Sequence, residues 1–218
     1  MDPGRSRPTW ATAVNNGRLL TVVVSAFVLS GSSVLASDDY FACSSCHGEK
    51  GEGVAAKNAP ALAGLDRDYV RQQMSAFKEG RRGADPEDRF GVQMALIAAA
   101  YDDATIDRLS VVIEGFPVSE PANHNKPGGD VRRGRTLYAL CSSCHGEKGE
   151  GSPMMGAPRI AGQEAAYFVR QLTNFRDGLR GAHPDDTAGA QMGRIVRAGL
   201  TGQTDFDDLA AFVDSLPH

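Results

Sequence analysis

The sequence predicts an all-α protein made of two tandem copies of one small helical domain. Eleven residues, from Cys43 to Gly53, recur without change from Cys141 to Gly151, an offset of 98. Apolar residues recur at helical spacing in both copies, and no segment shows sustained alternation of apolar and polar residues. An exact repeat combined with helical periodicity indicates one helical unit written twice.

Residues 1–36 have the order of a secretory signal peptide. Arginines precede an apolar run from Leu19 to Leu29, and small residues follow up to Ala36. The strongly apolar part is shorter than the ~20 residues that span a bilayer, so we expect cleavage after Ala36 and export to the periplasm. Retention of this segment would instead leave the protein associated with a membrane.

The exported chain divides into a first domain at 37–118, a linker at 119–130 and a second domain at 131–218. The linker lacks apolar periodicity and is rich in Pro, Gly and Asn. In each domain one predicted amphipathic helix, such as that from Tyr69 to Phe77, has apolar residues along one face. The last predicted helix of each domain has apolar residues at positions i, i+3, i+4 and i+7. With 7% aromatic residues the cores are thin, and such small domains often depend on a cofactor or a crosslink.

The balance of charge argues against a nucleic-acid-binding protein, because 23 Lys and Arg face 27 Asp and Glu. The acidic excess is uneven. Residues 37–118 carry nine basic and fourteen acidic groups, whereas residues 131–218 carry ten of each. We therefore expect the two halves to dock on partners of different charge.

The four cysteines form two Cys-x-x-Cys-His motifs. The motifs comprise Cys43, Cys46 and His47 in the first domain and Cys141, Cys144 and His145 in the second. Cysteines one helical turn apart suit thioether bonds to the two vinyl groups of a haem, and the histidine that follows is then presented to the iron. A four-cysteine zinc site has its pairs closer in sequence, and a disulfide or thioredoxin-like motif leaves both histidines unexplained. The sequence predicts two covalent haem c groups.

Met94 and Met192 are predicted as the second axial ligands, since they are the only methionines at equivalent positions of the two copies. Met74 is matched by a leucine, and Met154 and Met155 are matched by Ala and Lys, although this last pair remains a rival choice. A His/Met pair raises the reduction potential and fills both axial sites, which favours electron transfer over binding of oxygen or peroxide.

Outer contacts of each haem can also be proposed. Pro60 and Pro158 lie 13 residues after each histidine, where a backbone carbonyl would accept the second ring N–H, unless each is a simple turn proline. Six polar residues are candidates for binding haem propionates or else are solvated or capping side chains. They are Tyr69, Gln73 and Arg82 with their counterparts Tyr167, Gln171 and Arg180.

The chain resembles the cytochrome c₄ family, dihaem cytochromes built from two class I cytochrome c domains. The resemblance rests on both Cys-Ser-Ser-Cys-His motifs, the later prolines and methionines, and the Tyr-containing helix that runs into Phe-Lys-Glu-Gly-Arg-Arg-Gly. It implies an electron carrier between quinol-side donors and terminal oxidases or reductases, not an enzyme. It also implies Met94 and Met192 as distal ligands and the Pro60 and Pro158 carbonyls as partners of the histidines.

Two other functions remain open from the sequence. The chain is compatible with the cytochrome subunit of a dehydrogenase complex, for example one that oxidises sulfur compounds through a flavin subunit, and with a dihaem peroxidase. One departure from the family pattern concerns the first helix. Gly134 of the second copy corresponds to Ala36, so cleavage after Ala36 would truncate the first helix of the first domain.

Overall fold

A computed structural model describes residues 32–118 and 126–217. Residues 1–31 of the predicted signal peptide, residues 119–125 of the predicted linker and the final residue lie outside the described residues. The helices are α1 (Ser32–His47), α2 (Arg67–Lys78), α3 (Arg89–Ala98) and α4 (Asp103–Glu114), then α5 (Val131–Tyr138), α6 (Ser142–His145), α7 (Ala165–Asp177), α8 (Thr187–Gly199) and α9 (Gln203–Asp214). Short 3₁₀ turns lie at Ala55–Lys57 and Pro153–Met155. Within the described ranges no strand forms beyond isolated bridges, and the all-α prediction is confirmed.

Acidic residues begin the equivalent helices of both copies in the same way. Asp66 caps α2 and Glu164 caps α7, each accepting from two backbone N–H groups of the first turn. Asp88 and Asp186 do the same for α3 and α8 with one N–H group each. Because these side chains satisfy N–H groups that the helix leaves without partners, they fix where each helix starts.

The identical cysteine-containing segments differ in local form. α1 runs unbroken through the first motif, whereas the second copy breaks between α5 and α6. The break is a tightened turn, in which the Cys141 N–H donates to the Tyr138 carbonyl at 2.8 Å. The break lies at residues 139–141, mostly before the identical segment, where Ala139 and Leu140 replace Phe41 and Ala42 of the first copy. α1 also begins before Ala36, so the expected cleavage would fall inside it.

Among the side chains that the structure describes, Tyr40, Val70, Leu109 and Ile113 form a continuous buried core in the first domain. In the second domain eleven buried residues form such a core, centred on α7 and α9. In the described part of the chain no helix is long and apolar enough to cross a membrane.

Gly134 permits the close crossing of α5 and α9. A Cβ atom at this position would overlap the Asp208 carbonyl oxygen and lie 2.8 Å from Phe212 Cβ. Backbone atoms on α9 cannot turn aside as a flexible side chain can, so we expect Gly134→Ala to lower the free energy of unfolding by roughly 3 kcal/mol. Guanidinium unfolding of the haem-loaded protein measures this.

Gly128 supplies the control for that substitution, because no atom lies within 4 Å of a Cβ built there. Gly128→Ala should leave the unfolding free energy unchanged or raise it slightly. Equal stability of the two variants would contradict the close crossing of α5 and α9.

Candidate functional site

The two Cys-Ser-Ser-Cys-His motifs are each placed at the end of a helix. Cys43 and Cys46 lie in the last turns of α1, and Cys141 and Cys144 lie at the start and within α6. All four are free thiols and partly buried. Burial raises the pKa of the Cys43 thiol, and it raises the pKa of Cys141 to about 11. Both cysteines of each motif are therefore available for thioether bonds.

Each motif ends in a buried histidine whose ring is held by a backbone carbonyl. His47 and His145 are each 6% exposed. Their Nδ1 atoms lie 2.9 Å from the carbonyl oxygens of Pro60 and Pro158, respectively. A carbonyl only accepts, so Nδ1 must carry the proton, and Nε2 of the neutral ring keeps its lone pair.

The histidines are also held in the neutral form. Burial lowers the pKa of His47 and of His145, although the hydrogen bond to the proline carbonyl opposes this effect in each case. A neutral imidazole with a free Nε2 is the form that binds a metal. Both rings are therefore oriented and protonated as an axial ligand must be.

A cavity of about 900 Å³ connects these groups. It is lined by both cysteine pairs and both histidines, and Met94 on α3 and Met192 on α8 also face it. Both methionines are partly buried. Met154 and Met155 also border the cavity, on the turn at Pro153–Met155, but their side chains are 99% and 57% exposed.

Six polar residues form a cluster between the two domains, which we call the interdomain arginine cluster. It consists of Tyr69, Gln73 and Arg82 with Tyr167, Gln171 and Arg180. Within each domain the arginine donates to the glutamine Oε1, at 2.7 Å from Arg82 and 2.8 Å from Arg180. Across the interface each arginine donates to the tyrosine and glutamine of the other copy, at 2.9–3.3 Å.

The cluster holds two buried cations with no hydrogen-bonded carboxylate among the described residues. Arg82 and Arg180 are each 8% exposed, and each has an Nε atom without a hydrogen-bond partner. Burial alone would raise the pKa of Tyr167, yet the nearby arginines hold that pKa below its ordinary value. Asp186 acts on Arg180 through its charge but without a hydrogen bond, so the unpaired Nε donors leave the cluster able to bind further anions.

These observations fit a haem in each domain. The cavity offers two cysteines, a histidine with a free Nε2 and a methionine at each site, and the arginine cluster offers cations for propionates. Across residues 32–118 and 126–217 no group of three or more His, Cys, Asp or Glu side chains is placed to bind a metal.

Two residues that contact the first site were missed from the sequence. Gln163 and Arg170 of the second domain bond to the backbone on both sides of Pro60. Repeat comparison selected residues that the two copies share, but the counterparts of these two are Leu65 and Gln72. The only sequence feature that could have indicated these two residues is that they differ from their counterparts in the first copy.

Comparison with known proteins gives a consistent result. The family model described as Cytochrome c matches residues 33–110 and 131–217. A cytochrome c4 of Azotobacter vinelandii is 31% identical over 183 residues, covering 80% of this chain and 84% of that protein. A thiosulfate dehydrogenase electron acceptor of Stutzerimonas stutzeri is 34% identical over 168 residues, covering 72% of this chain and 71% of that protein.

Solved structures show the same likeness. Reduced recombinant cytochrome c4 from Pseudomonas stutzeri has a TM-score of 0.68 at 25% identity and covers 84% of this chain and 98% of that one. A thiosulfate dehydrogenase (TsdBA) from Marichromatium purpuratum has a TM-score of 0.66 at 27% identity and covers 86% of this chain. The match spans 40% of that second, longer chain.

Proposed function

Since the chain belongs to the cytochrome c₄ family of two-domain c-type cytochromes, we propose that it is a periplasmic electron carrier of a respiratory chain, delivering electrons to a terminal oxidase or reductase. It is an electron-transfer protein that carries two covalent haem c groups. The observation that carries the proposal is the duplication of one complete site, in which a buried, carbonyl-held histidine and a methionine face one cavity.

In this proposal the residues of each domain hold one haem. Cys43 and Cys46 form the thioethers in the first domain, and the second motif does so through its own pair. Nε2 of His47 or His145 and the sulfur of Met94 or Met192 would be the iron ligands, since all four side chains line the cavity. When bound in this way, haem supplies a one-electron couple between ferrous and ferric iron.

The protein's contribution is to prevent the iron from reacting with oxygen or peroxide while it changes between the ferrous and ferric states. With one histidine and one methionine as ligands, the iron would have no open position at which oxygen or peroxide could bind. The carbonyls of Pro60 and Pro158 hold the rings through the Nδ1 contact, which would limit movement of the ligand when the iron changes oxidation state. This arrangement favours a carrier over the dihaem peroxidase considered from the sequence.

The interdomain arginine cluster lies where the two sites approach each other. Its two cations face the shared cavity, and each bonds to residues of both domains. We assign Arg82 and Arg180 to haem propionates, because a carboxylate would satisfy the free Nε donors and neutralise the buried charge. The same contacts hold the two sites close together, as transfer of electrons within one molecule requires.

Oxidation by small complexes of opposite charge tests the carrier function. The fully reduced protein should give up two electrons per chain to the tris-phenanthroline complex of cobalt(III) and to hexacyanoferrate(III). Because residues 37–118 carry an acidic excess, the rate with the cation should fall as ionic strength rises, and the rate with the anion should increase. Steady turnover of hydrogen peroxide would overturn the proposal, and salt-independent rates would remove the role of charge.

A second function is favoured by two relatives. One curated relative is named a thiosulfate dehydrogenase electron acceptor, and a structural neighbour is a thiosulfate dehydrogenase whose chain is more than twice as long as the matched part. The chain in this case would accept electrons from a sulfur-compound dehydrogenase. This is close to the alternative drawn from the sequence, a cytochrome subunit of a dehydrogenase complex that oxidises sulfur compounds. Thiosulfate with a purified thiosulfate dehydrogenase should then reduce both haems, whereas reduction only by a quinol-oxidising complex would favour the respiratory carrier.

A further inference from the structure

Side chains of the second domain bond to the backbone segment that positions His47, and no described side chain of the first domain makes an equivalent contact to the second. This segment, residues 58–61, contains Pro60, whose carbonyl accepts from His47 Nδ1. On one side of Pro60, the Gln163 side chain pairs with Ala61. It accepts from the Ala61 N–H at 2.9 Å and donates to the Ala61 carbonyl at 3.0 Å.

On the other side of Pro60, Arg170 holds Asn58. Its Nη2 donates to the Asn58 carbonyl at 2.8 Å, and its Nη1 lies 3.4 Å from the side-chain Oδ1. Asn58 has a left-handed backbone, with φ at 55°. The guanidinium also stacks 4.5 Å from the ring of Phe90, on the helix that carries Met94. Two residues of the second domain thus fix both ends of a four-residue segment of the first.

The corresponding segment of the second domain, residues 156–159, is not held by equivalent hydrogen bonds among the described residues. The first-domain counterpart of Gln163 is Leu65, whose side chain cannot form hydrogen bonds. The counterpart of Arg170 is Gln72, whose side chain is exposed. No hydrogen bond joins a first-domain side chain to residues 156–159 in the described part of the chain. Ala59 and Ala61 are 8% and 6% exposed, whereas their counterparts are less buried and Gly156 is exposed.

We propose that Gln163 and Arg170 are positioning residues for the first haem, which hold the Pro60 carbonyl against His47 so that the second domain sets the reduction potential of the first. The proposal rests on the proposed function, since it requires haem iron at His47. A firm Nδ1–H···O bond strengthens donation from the ring to the metal and stabilises ferric iron. Loosening the segment weakens that bond for the first site alone.

Gln163→Leu tests this in the full-length dihaem protein, because it removes both bonds to Ala61, adds no charge and copies the residue at position 65. In a Met192→Leu background the remaining methionine-to-iron absorption band reports the first haem, and in a Met94→Leu background it reports the second. We expect Gln163→Leu to raise the midpoint potential of the first haem and to leave that of the second unchanged. Gln203→Leu, at an exposed position of α9, should move neither.

Proton exchange at histidine Nδ1, followed by NMR, provides a readout that does not depend on the potential. Gln163→Leu and Arg170→Gln should each speed exchange at His47 and leave His145 unchanged. Arg170→Gln is judged on exchange alone, because it also removes a positive charge. Equal shifts at both haems, or no change in either readout, would overturn the proposal. Failure of the proposed function would instead appear in the unmodified protein, as fewer than two haems or no methionine band.

Discussion

Met94→Leu and Met192→Leu should each abolish half of the methionine-to-iron charge-transfer absorption of the oxidised protein. Leucine matches methionine in volume but offers no sulfur, so the iron of one site loses its sixth ligand while the other site stays intact. The altered haem should become high-spin, and its midpoint potential should fall because the thioether no longer favours ferrous iron. Visible and near-infrared spectra during a redox titration measure all three effects.

Two other methionines serve as controls for this result. Met74 packs against the core of the first domain and corresponds to Leu172, so Met74→Leu copies what the second domain already tolerates. Met154 is 99% exposed, and Met154→Leu tests the rival ligand. Both variants should keep the full band. Loss of half the band in Met154→Leu, or an unchanged band in Met94→Leu, would show that the ligand choice is wrong.

The surroundings of the two histidines show which contacts can be predicted from an internal sequence repeat. The equal spacing of His47 to Pro60 and of His145 to Pro158 predicted a carbonyl partner for each ring, and the structure places those atoms 2.9 Å apart in both domains. Such a contact can be foreseen because it lies within one short loop, whose conformation is set by the twelve residues between histidine and proline.

Contacts between the domains could not be foreseen in the same way. The sequence marked Arg82 and Arg180 as candidates for propionates, but it gave no sign that each would bond to the tyrosine of the other copy. Gln163 lies 102 residues from its partner Ala61. Pairings at this distance depend on how two folded domains dock, and that is decided by the shape of complete surfaces rather than by local spacing.

The interdomain arginine cluster predicts an effect on both haems from a single substitution. Arg180 donates to Gln171 in its own domain and to Tyr69 and Gln73 in the other, and Arg82 is bonded in the mirrored way. A cation shared between two sites stabilises the more negative, reduced state of each. Removing it should therefore act on both potentials, unlike loss of one methionine.

We expect Arg82→Leu or Arg180→Leu to lower both midpoint potentials and to cost about 3 kcal/mol of unfolding free energy, because buried tyrosine and glutamine oxygens lose charge-assisted hydrogen bonds. Arg180→Lys keeps the positive charge but lacks the branched set of guanidinium donors, so the potentials should stay closer to the original while stability still falls.

Arg71→Leu is the control, since Arg71 lies on α2 with a side chain 51% exposed, and its surface ion pairs are worth at most about 1 kcal/mol. Spectroelectrochemical titration and guanidinium unfolding measure the two effects. A shift confined to one haem would mean that the cluster serves one site, and unmoved potentials would place the propionates elsewhere.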